Sequence, residues 1–128
     1  MKILGVGVDI VKNNRFKLLT RKGNFVLRTF SKNEINFSKK KKMKMVFFAK
    51  RFTAKESFSK SLGTGIRDNL NFKDIEVLND KFGKPYFRKT KKIDNLIYKK
   101  FKVKRYDLFL SISDEKDYSI AFTIIQKK

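Results

Sequence analysis

Residues 49–66 limit most narrowly what this chain can fold into, because they require one long helix with a defined apolar face. At about 100° per residue, the apolar side chains of the helical pattern fall within an arc of about 160°; they are Phe47, Phe48, Phe52, Ala54, Phe58 and Leu62. Glu56 and Lys60 lie just beyond the edge of this arc, on adjacent turns. The pattern predicts a helix over residues 42–62 that ends at the glycines of positions 63 and 65.

A second carboxylate, Asp9, lies inside the apolar, strand-like residues 3–11, where a buried acid is costly without a partner. If Asp9 faces Glu56, the two carboxylates repel unless one is protonated or a cation joins them. Magnesium binds one or two protein carboxylates and completes its shell with water and phosphate oxygens. Lys60 could neutralise a phosphate, and glycine amides after the helix could approach one closely. This combination predicts a site for a metal-bound, phosphate-bearing substrate.

Each of these features also has a purely structural interpretation. Glu56 and Lys60 have the i,i+4 spacing of an ordinary helical ion pair. Gly63 is an ordinary helix C-cap. Asp9 could be satisfied by the N-terminus of a helix that starts directly after it. The metal site is favoured by the combination and not by any single residue.

The amino-acid composition excludes several kinds of catalytic and metal site. The chain contains no cysteine and no histidine, which excludes disulfides, thiolate nucleophiles, cysteine-based zinc sites and the commonest general base. Its 128 residues and 41% hydrophobic content predict one folded domain over residues 1–128. No apolar stretch approaches the roughly 20 residues of a membrane span, and the first residues read as a strand instead of a signal peptide. We therefore expect a soluble, cytoplasmic protein.

The net charge of +21 has two interpretations. It favours an anionic partner, such as nucleic acid, a membrane surface or an acidic protein. It is equally explained by compositional drift, because lysine outnumbers arginine 26 to 7. Lysine runs interleaved with phenylalanine make a small basic nucleic-acid-binding protein the rival hypothesis. That hypothesis leaves Asp9 and Glu56 unexplained.

The remaining patterns predict an α+β domain, in which one long helix packs on a small, largely antiparallel sheet. Short helical pieces are expected around Gly23, and Ser31 with Glu34 fits a capping box at the start of another helix. Strands are predicted over residues 2–11, 75–79, 85–88, 106–113 and 118–125, with Gly83 at the turn of the second pair, and a helix over residues 93–101. Residues 39–44 suit either a charged loop or the first turns of the long helix.

These residues together strongly resemble the holo-[acyl-carrier-protein] synthases, the small bacterial type of 4′-phosphopantetheinyl transferase. The resemblance rests on residues 7–11 followed by Arg15, on the whole of residues 49–66, on residues 79–85, and on residues 110–113 and 118–121. It covers nearly the whole chain in the expected order, and the helical segment is its most specific part. It implies the 4′-phosphopantetheinyl transferase fold.

The resemblance implies transfer of 4′-phosphopantetheine from coenzyme A to a serine of apo-acyl carrier protein, with release of adenosine 3′,5′-bisphosphate, in support of fatty acid biosynthesis. It places Mg²⁺ on Asp9 and Glu56, and phosphate on Lys60. It lines the coenzyme pocket with Gly63, Gly65 and Pro85 and directs Arg15 at the acidic helix of the carrier protein. It also implies a homotrimer with sites shared between subunits. The nucleophile then belongs to the partner, and Glu56, directly or through a metal-held water, is our candidate for the base.

Two departures from the family pattern stand out. The family's terminal motif continues Ser-His, whereas Asp114 follows Ser113 here. Because that histidine is associated with coenzyme A binding, an anion at this position weakens coenzyme binding unless lysines offset it, and it leaves open a transferase-like fold without activity. The general lysine enrichment also obscures the docking face for the carrier protein, for which Arg21 and residues 39–44 are candidates.

Overall fold

The computed structural model describes residues 1–66 and 70–128. Within them the chain forms five strands, five α-helices and one 3₁₀ turn, Phe72–Asp74. In chain order the elements are β1 (Lys2–Lys12), α1 (Arg15–Leu19), α2 (Gly23–Thr29), α3 (Lys32–Ser38), α4 (Lys44–Leu62), β2 (Val77–Asn79), β3 (Pro85–Phe87), α5 (Lys91–Phe101), β4 (Tyr106–Asp114) and β5 (Tyr118–Lys127).

Two antiparallel sheets carry the strands. The larger has the order β1-β5-β4, so the first strand of the chain pairs with the last. The smaller is the hairpin of β2 and β3, in which Asn79 pairs with Pro85. Gly83 has a φ of 87° in its turn, a value that a side chain disfavours. These sheets and the long helix confirm the predicted α+β class.

Two glycines of β1 set the distance between the larger sheet and α4. A Cβ added at Gly5 would lie 2.0 Å from the carbonyl oxygen of Ser61, and one at Gly7 would lie 1.9 Å from that of Ser57. Two strand residues advance about 6.6 Å and four helical residues about 6 Å. The next strand residue on this face, Asp9, therefore meets the helix one turn earlier, at Thr53.

The long helix is buried on far more of its surface than its apolar arc predicts. Its first half packs with α1 to α3 in a phenylalanine-rich cluster, whereas Ala54, Phe58 and Leu62 join the core formed with the sheets and α5. Polar residues of α4 are buried as well, namely Arg51, Thr53, Lys55, Ser57, Ser59 and Ser61. A helix with neighbours on several sides has no free polar face, because each polar residue needs its own partner there.

Most predicted boundaries agree with the structure to within about two residues. The capping box at Ser31 and Glu34 is present and opens α3. The long helix begins at Lys44, so of the two interpretations of residues 39–44 the charged loop is correct for residues 39–43. The alternative in which a helix starts directly after Asp9 is wrong, because β1 continues to Lys12 and α1 begins at Arg15.

Candidate functional site

Asp9 is held by two side chains of α4. Its Oδ1 accepts a hydrogen bond from Nζ of Lys60 at 3.0 Å, and its Oδ2 accepts one from Oγ1 of Thr53 at 2.9 Å. The carboxylate side chain is mostly buried, whereas the Lys60 side chain is half exposed. The sequence predicted that this acid needs a partner, and α4 provides two.

The helix presents its polar groups to β1 as one stripe. Thr53, Glu56 and Lys60 have the spacing i, i+3, i+7, which places them within about 60° around the helix axis. A hydroxyl, a carboxylate and an ammonium group therefore follow one another along the face that meets Asp9. The two carboxylates and the lysine that the sequence singled out lie together at this contact between strand and helix.

The charge of Asp9 acts on the carboxylate of Glu56. Partial burial raises the pKa of Glu56 above its ordinary value of 4.5, and the negative charge of Asp9 raises it further. The positive charges of Lys60 and Arg15 act in the opposite direction. Arg15, on the short helix α1, therefore lies near enough to act on the same site. A half-buried carboxylate that is destabilised by a second one suits a cation between them.

Lys60 does not make the ordinary helical ion pair that its spacing with Glu56 allowed. Its ammonium group forms a salt bridge with Asp9 across the contact between β1 and α4. Gly63, in contrast, fulfils its structural role, because it ends α4 with a φ of 80° and donates its N–H to the carbonyl of Lys60. Gly65 also has a positive φ, of 72°.

The other residues that the sequence placed in the coenzyme pocket lie on two elements. Gly63 and Gly65 directly follow α4, within two turns of Lys60. Pro85 begins β3, as expected of a proline at a strand start. No hydrogen bond or salt bridge among the described residues joins Pro85 or its strand partner Asn79 to the two carboxylates. The structure thus brings the two carboxylates together with Lys60 and Arg15, whereas Pro85 and Asn79 of the β2–β3 hairpin are not bonded to them.

A cleft of about 550 Å³ lies between the start of α4, the β2–β3 hairpin and the β4–β5 turn. Its lining is basic and apolar, with two acids, and includes Lys41, Lys42, Phe47, Lys50, Arg51, Asn79, Asp114 and Glu115. Arg51 is the notable group, because its guanidinium is buried, lies over the rings of Phe37 and Phe47, and donates to Oδ1 of Asn79. Its Nε has no hydrogen-bond partner among the described residues. This N–H is enclosed by protein atoms, so it adds no donor to the surface of the cleft.

Asp114 lies on the rim of this cleft and forms a salt bridge of 3.4 Å with Lys50. Both side chains are about one-third exposed. Lys50 of α4 therefore offsets the charge of Asp114. From the sequence, such an offset by a lysine was one alternative, and weaker coenzyme binding was the other.

Beside the site, Lys55 links α4 to α3 and to the segment that precedes β2. This fully buried ammonium donates to Oε1 of Glu34 at 2.7 Å and to the carbonyl oxygens of Phe72 and Ile75, both at 2.8 Å. Oε2 of Glu34 accepts the N–H of Val77 at 3.1 Å. Desolvation lowers the pKa of Lys55, and the charge of Glu34 partly opposes this effect.

Sequence reasoning missed three of these residues, Thr53, Arg51 and Lys55. The spacing of Thr53 from Glu56 and Lys60 was a usable signal, because it places the hydroxyl on the same helical stripe. Arg51 and Lys55 gave no such signal, since a cation on a helix is normally solvated. Only the surrounding elements show that both are buried.

In the part of the chain that the structure describes, no helix has the length and apolar character needed to cross a membrane. Neither does that part contain a cluster of three or more carboxylates, histidines or cysteines able to hold a metal. A magnesium ion usually takes only one or two protein carboxylates and completes its shell with water and phosphate oxygens, so it does not need a cluster of three.

Comparison with known proteins gives one consistent result. The model of the 4′-phosphopantetheinyl transferase superfamily matches residues 5–123. The holo-[acyl-carrier-protein] synthase of Pelagibacter ubique is 56% identical over 128 residues, with full coverage of both chains. The synthase of Bacillus anthracis, solved in complex with CoA (3′,5′-ADP), has a TM-score of 0.81 at 34% identity, covering 98% of each chain. That of Neisseria meningitidis has a TM-score of 0.86 at 34% identity, covering 98% of this chain and 100% of its own.

Proposed function

We propose that this chain, which belongs to the 4′-phosphopantetheinyl transferase superfamily, carries out its transfer at the contact between β1 and α4, with Asp9 and Glu56 as the ligands of magnesium. The reaction moves 4′-phosphopantetheine from coenzyme A to a serine of apo-acyl carrier protein, as in the holo-[acyl-carrier-protein] synthases that match the whole chain. The rival, a nucleic-acid-binding protein, has no support from these relatives.

The observation that carries the proposal is the meeting of Asp9, Glu56 and Lys60 at one place. In the reaction the serine oxygen of the carrier protein attacks the phosphorus that bears pantetheine, and adenosine 3′,5′-bisphosphate leaves. Charge neutralisation and alignment are the main requirements of such a transfer. Lys60 has a half-exposed side chain, so its ammonium group can exchange Asp9 for a phosphate oxygen.

Magnesium fits the donor set, because two carboxylates that raise one another's energy are relieved by a divalent cation. When bound there, the ion supplies positive charge at the pyrophosphate. Glu56 has a second role in this proposal, as the group that receives the serine proton directly or through water.

The coenzyme is proposed to contact the glycines that follow α4, whereas the cleft beside the β2–β3 hairpin lies at the other end of this helix and is proposed as a second basic surface for an anionic ligand. Gly63 and Gly65 allow close approach of a phosphate to the backbone. Pro85 pairs with Asn79, which lines the cleft. Four lysines line this cleft and add positive charge, namely Lys41, Lys42, Lys50 and Lys116. An anionic ligand matches this lining.

We place the carrier protein on the surface around α1. Arg15 is exposed on this helix and acts on Glu56 electrostatically. Arg21 follows it, and Leu18 between them is 66% exposed. A basic surface with an exposed apolar side chain suits an acidic partner that also makes an apolar contact. The lysines of residues 39–44 remain further candidates.

An exposed apolar face of the larger sheet supports the proposed homotrimer. Alternate residues of β1 point away from α4, and together with β5 and β4 they expose a continuous apolar surface formed by Val6, Val8, Ile10, Phe109, Ile120 and Phe122. A surface of this kind marks a protein interface. Val8→Lys is expected to produce monomers in sedimentation velocity, whereas Phe82→Lys on the hairpin turn is the matched control and keeps the assembly. A Val8→Lys protein that still sediments as a trimer contradicts this interface.

The transfer is tested by the mass of the carrier protein after incubation with the chain, coenzyme A and magnesium. Wild type is expected to add one phosphopantetheine. Asp9→Ala, Glu56→Ala and a chelator each abolish the gain. Asp74→Ala, which removes an acid paired with Lys92 on other elements, serves as the control and leaves it intact. An unmodified carrier at high enzyme concentration refutes the transfer, and full activity in the presence of chelator refutes the metal. We also predict that residues 1–128 form a single domain and that the protein lies in the cytoplasm.

A further inference from the structure

We propose that Thr53 is a positioning residue for the metal site, and that its hydroxyl fixes the orientation of the Asp9 carboxylate. This inference rests on the proposed function, since it concerns the carboxylate that we assign to magnesium. Its basis is the hydrogen bond of 2.9 Å from Oγ1 of Thr53 to Oδ2 of Asp9.

The burial of Thr53 makes this hydrogen bond specific. The residue has no exposed surface, so no bulk water competes for the hydroxyl. The other buried hydroxyls in this part of α4 bond elsewhere: Ser59 and Ser61 donate to carbonyls of their own helix, and Ser57 contacts Ala54 and Thr123. Thr53 is thus the α4 hydroxyl that reaches across to the β1 carboxylate.

The two hydrogen bonds of Asp9 differ in the mobility of the side chain that donates them. Lys60 holds Oδ1 from a half-exposed side chain that is free to move. Thr53 holds Oδ2 from a side chain that is fully buried and stiff at χ1. When Lys60 leaves for a phosphate, the bond to Thr53 keeps the carboxylate plane fixed, so that Oδ1 is presented in the same direction. Without the hydroxyl, the carboxylate is free to rotate about χ2.

Hydrogen bonds from such outer residues to metal ligands contribute strongly to affinity, and their loss costs roughly 10- to 100-fold. Thr53→Val keeps the shape of the side chain and removes only the hydroxyl. We expect it to weaken metal binding at least about tenfold. Thr53→Ser keeps the hydroxyl and is expected to restore binding to within about threefold, although it removes a buried methyl group. A role in packing alone gives the reverse order, because serine then packs worse than valine.

The test is a titration with Mn²⁺ in the presence of saturating coenzyme A and without carrier protein, followed by electron paramagnetic resonance. No turnover occurs under these conditions, so the readout is binding and not activity. Ser61→Ala, which removes a buried hydroxyl bonded within α4, is the matched control and leaves Mn²⁺ affinity unchanged. The Mg²⁺ concentration that gives half-maximal transfer is measured in parallel, and we expect it to rise for Thr53→Val with little change in the limiting rate.

The outcomes separate this inference from the proposed metal site. If wild type binds Mn²⁺ and Asp9→Asn does not, the metal site stands, and equal affinities of wild type and Thr53→Val then overturn the role of Thr53 alone. If wild type shows no binding that depends on Asp9, the metal site fails and the role of Thr53 fails with it. Weak binding by Thr53→Val, restored in Thr53→Ser, supports both.

Discussion

Removal of the buried ammonium group of Lys55 should destabilise the chain more than loss of any exposed lysine. Lys55→Met keeps much of the apolar stem and deletes three hydrogen bonds, to Glu34, Phe72 and Ile75. The dominant cost comes from Glu34, which is left as a buried carboxylate without its cation. Breaking a buried ion pair in this way costs about 3–5 kcal/mol. That loss is a large fraction of the roughly 5–15 kcal/mol that stabilises a typical domain.

The assay is equilibrium unfolding in urea, followed by far-UV circular dichroism at one fixed protein concentration. Urea is preferable to guanidinium chloride because it does not screen charges. Lys50→Met is the matched control, since it removes a lysine of the same helix whose salt bridge with Asp114 is partly exposed. Exposed pairs contribute about 0–1 kcal/mol, so the control should unfold almost as wild type does.

A double-mutant cycle tests whether the buried, unpaired charge of Glu34 causes the loss of stability in Lys55→Met. In Lys55→Met combined with Glu34→Gln the buried negative charge is gone, and the double variant should lose about 1–3 kcal/mol less than the sum of the two single changes. Additive losses refute the argument, and so does a Lys55→Met protein that unfolds within about 1 kcal/mol of wild type.

Three further changes test the site and its surroundings. Glu56→Gln should abolish transfer yet raise the free energy of unfolding. The pKa of Glu56 in the folded protein lies above 4.5, so wild type loses stability as the pH rises from 4.5 through that folded pKa. The variant cannot ionise at this position and does not show this loss. The gain should be absent in urea unfolding below pH 4 and present at pH 7; a variant less stable than wild type at pH 7 contradicts it. Asp114→His should tighten coenzyme A binding by about 1 kcal/mol, or about fivefold, in calorimetry; Asp114→Asn isolates the effect of charge, and unchanged affinity in both variants shows that the position is unimportant. Gly7→Ala should cost about 3 kcal/mol, because its Cβ would lie 1.9 Å from the Ser57 carbonyl oxygen, whereas Gly23→Ala meets nothing within 4 Å and should be tolerated.

The elements that local sequence patterns determine were predictable. The capping box of Ser31 and Glu34 depends on residues three apart, and it starts α3 where expected. The 3.6-residue spacing of the phenylalanines gave α4, and alternation gave the terminal hairpin of β4 and β5. The sequence also predicted that Asp9 needs a partner, but the residues alone gave its meeting with Glu56 only as a condition, and the family resemblance supplied the pairing.

The buried cations were not predictable, because their burial depends on contacts distant in sequence. Lys55 finds Glu34 from 21 residues away and the Ile75 carbonyl from 20. An analysis of apolar periodicity assigns such a lysine to solvent. The hydrogen bond from Thr53 to Asp9 spans 44 residues, and it follows from the register that Gly5 and Gly7 impose between β1 and α4. The glycines indicated a close approach, but not which element approaches.

The burial of α4 on several sides, polar residues included, and the functional role of this helix have one cause. The polar residues of this helix face several neighbouring elements, so site and scaffold share a single element. Lys55 and Glu56 are adjacent in sequence but about 100° apart around the axis. Lys55 is consequently directed at Glu34 and stabilises the fold, whereas Glu56 lies beside Asp9, where its charge is unfavourable until a cation arrives. Loss of the first group should destabilise the fold and leave the residues of the site in place, and loss of the second should stop the chemistry while stabilising the fold.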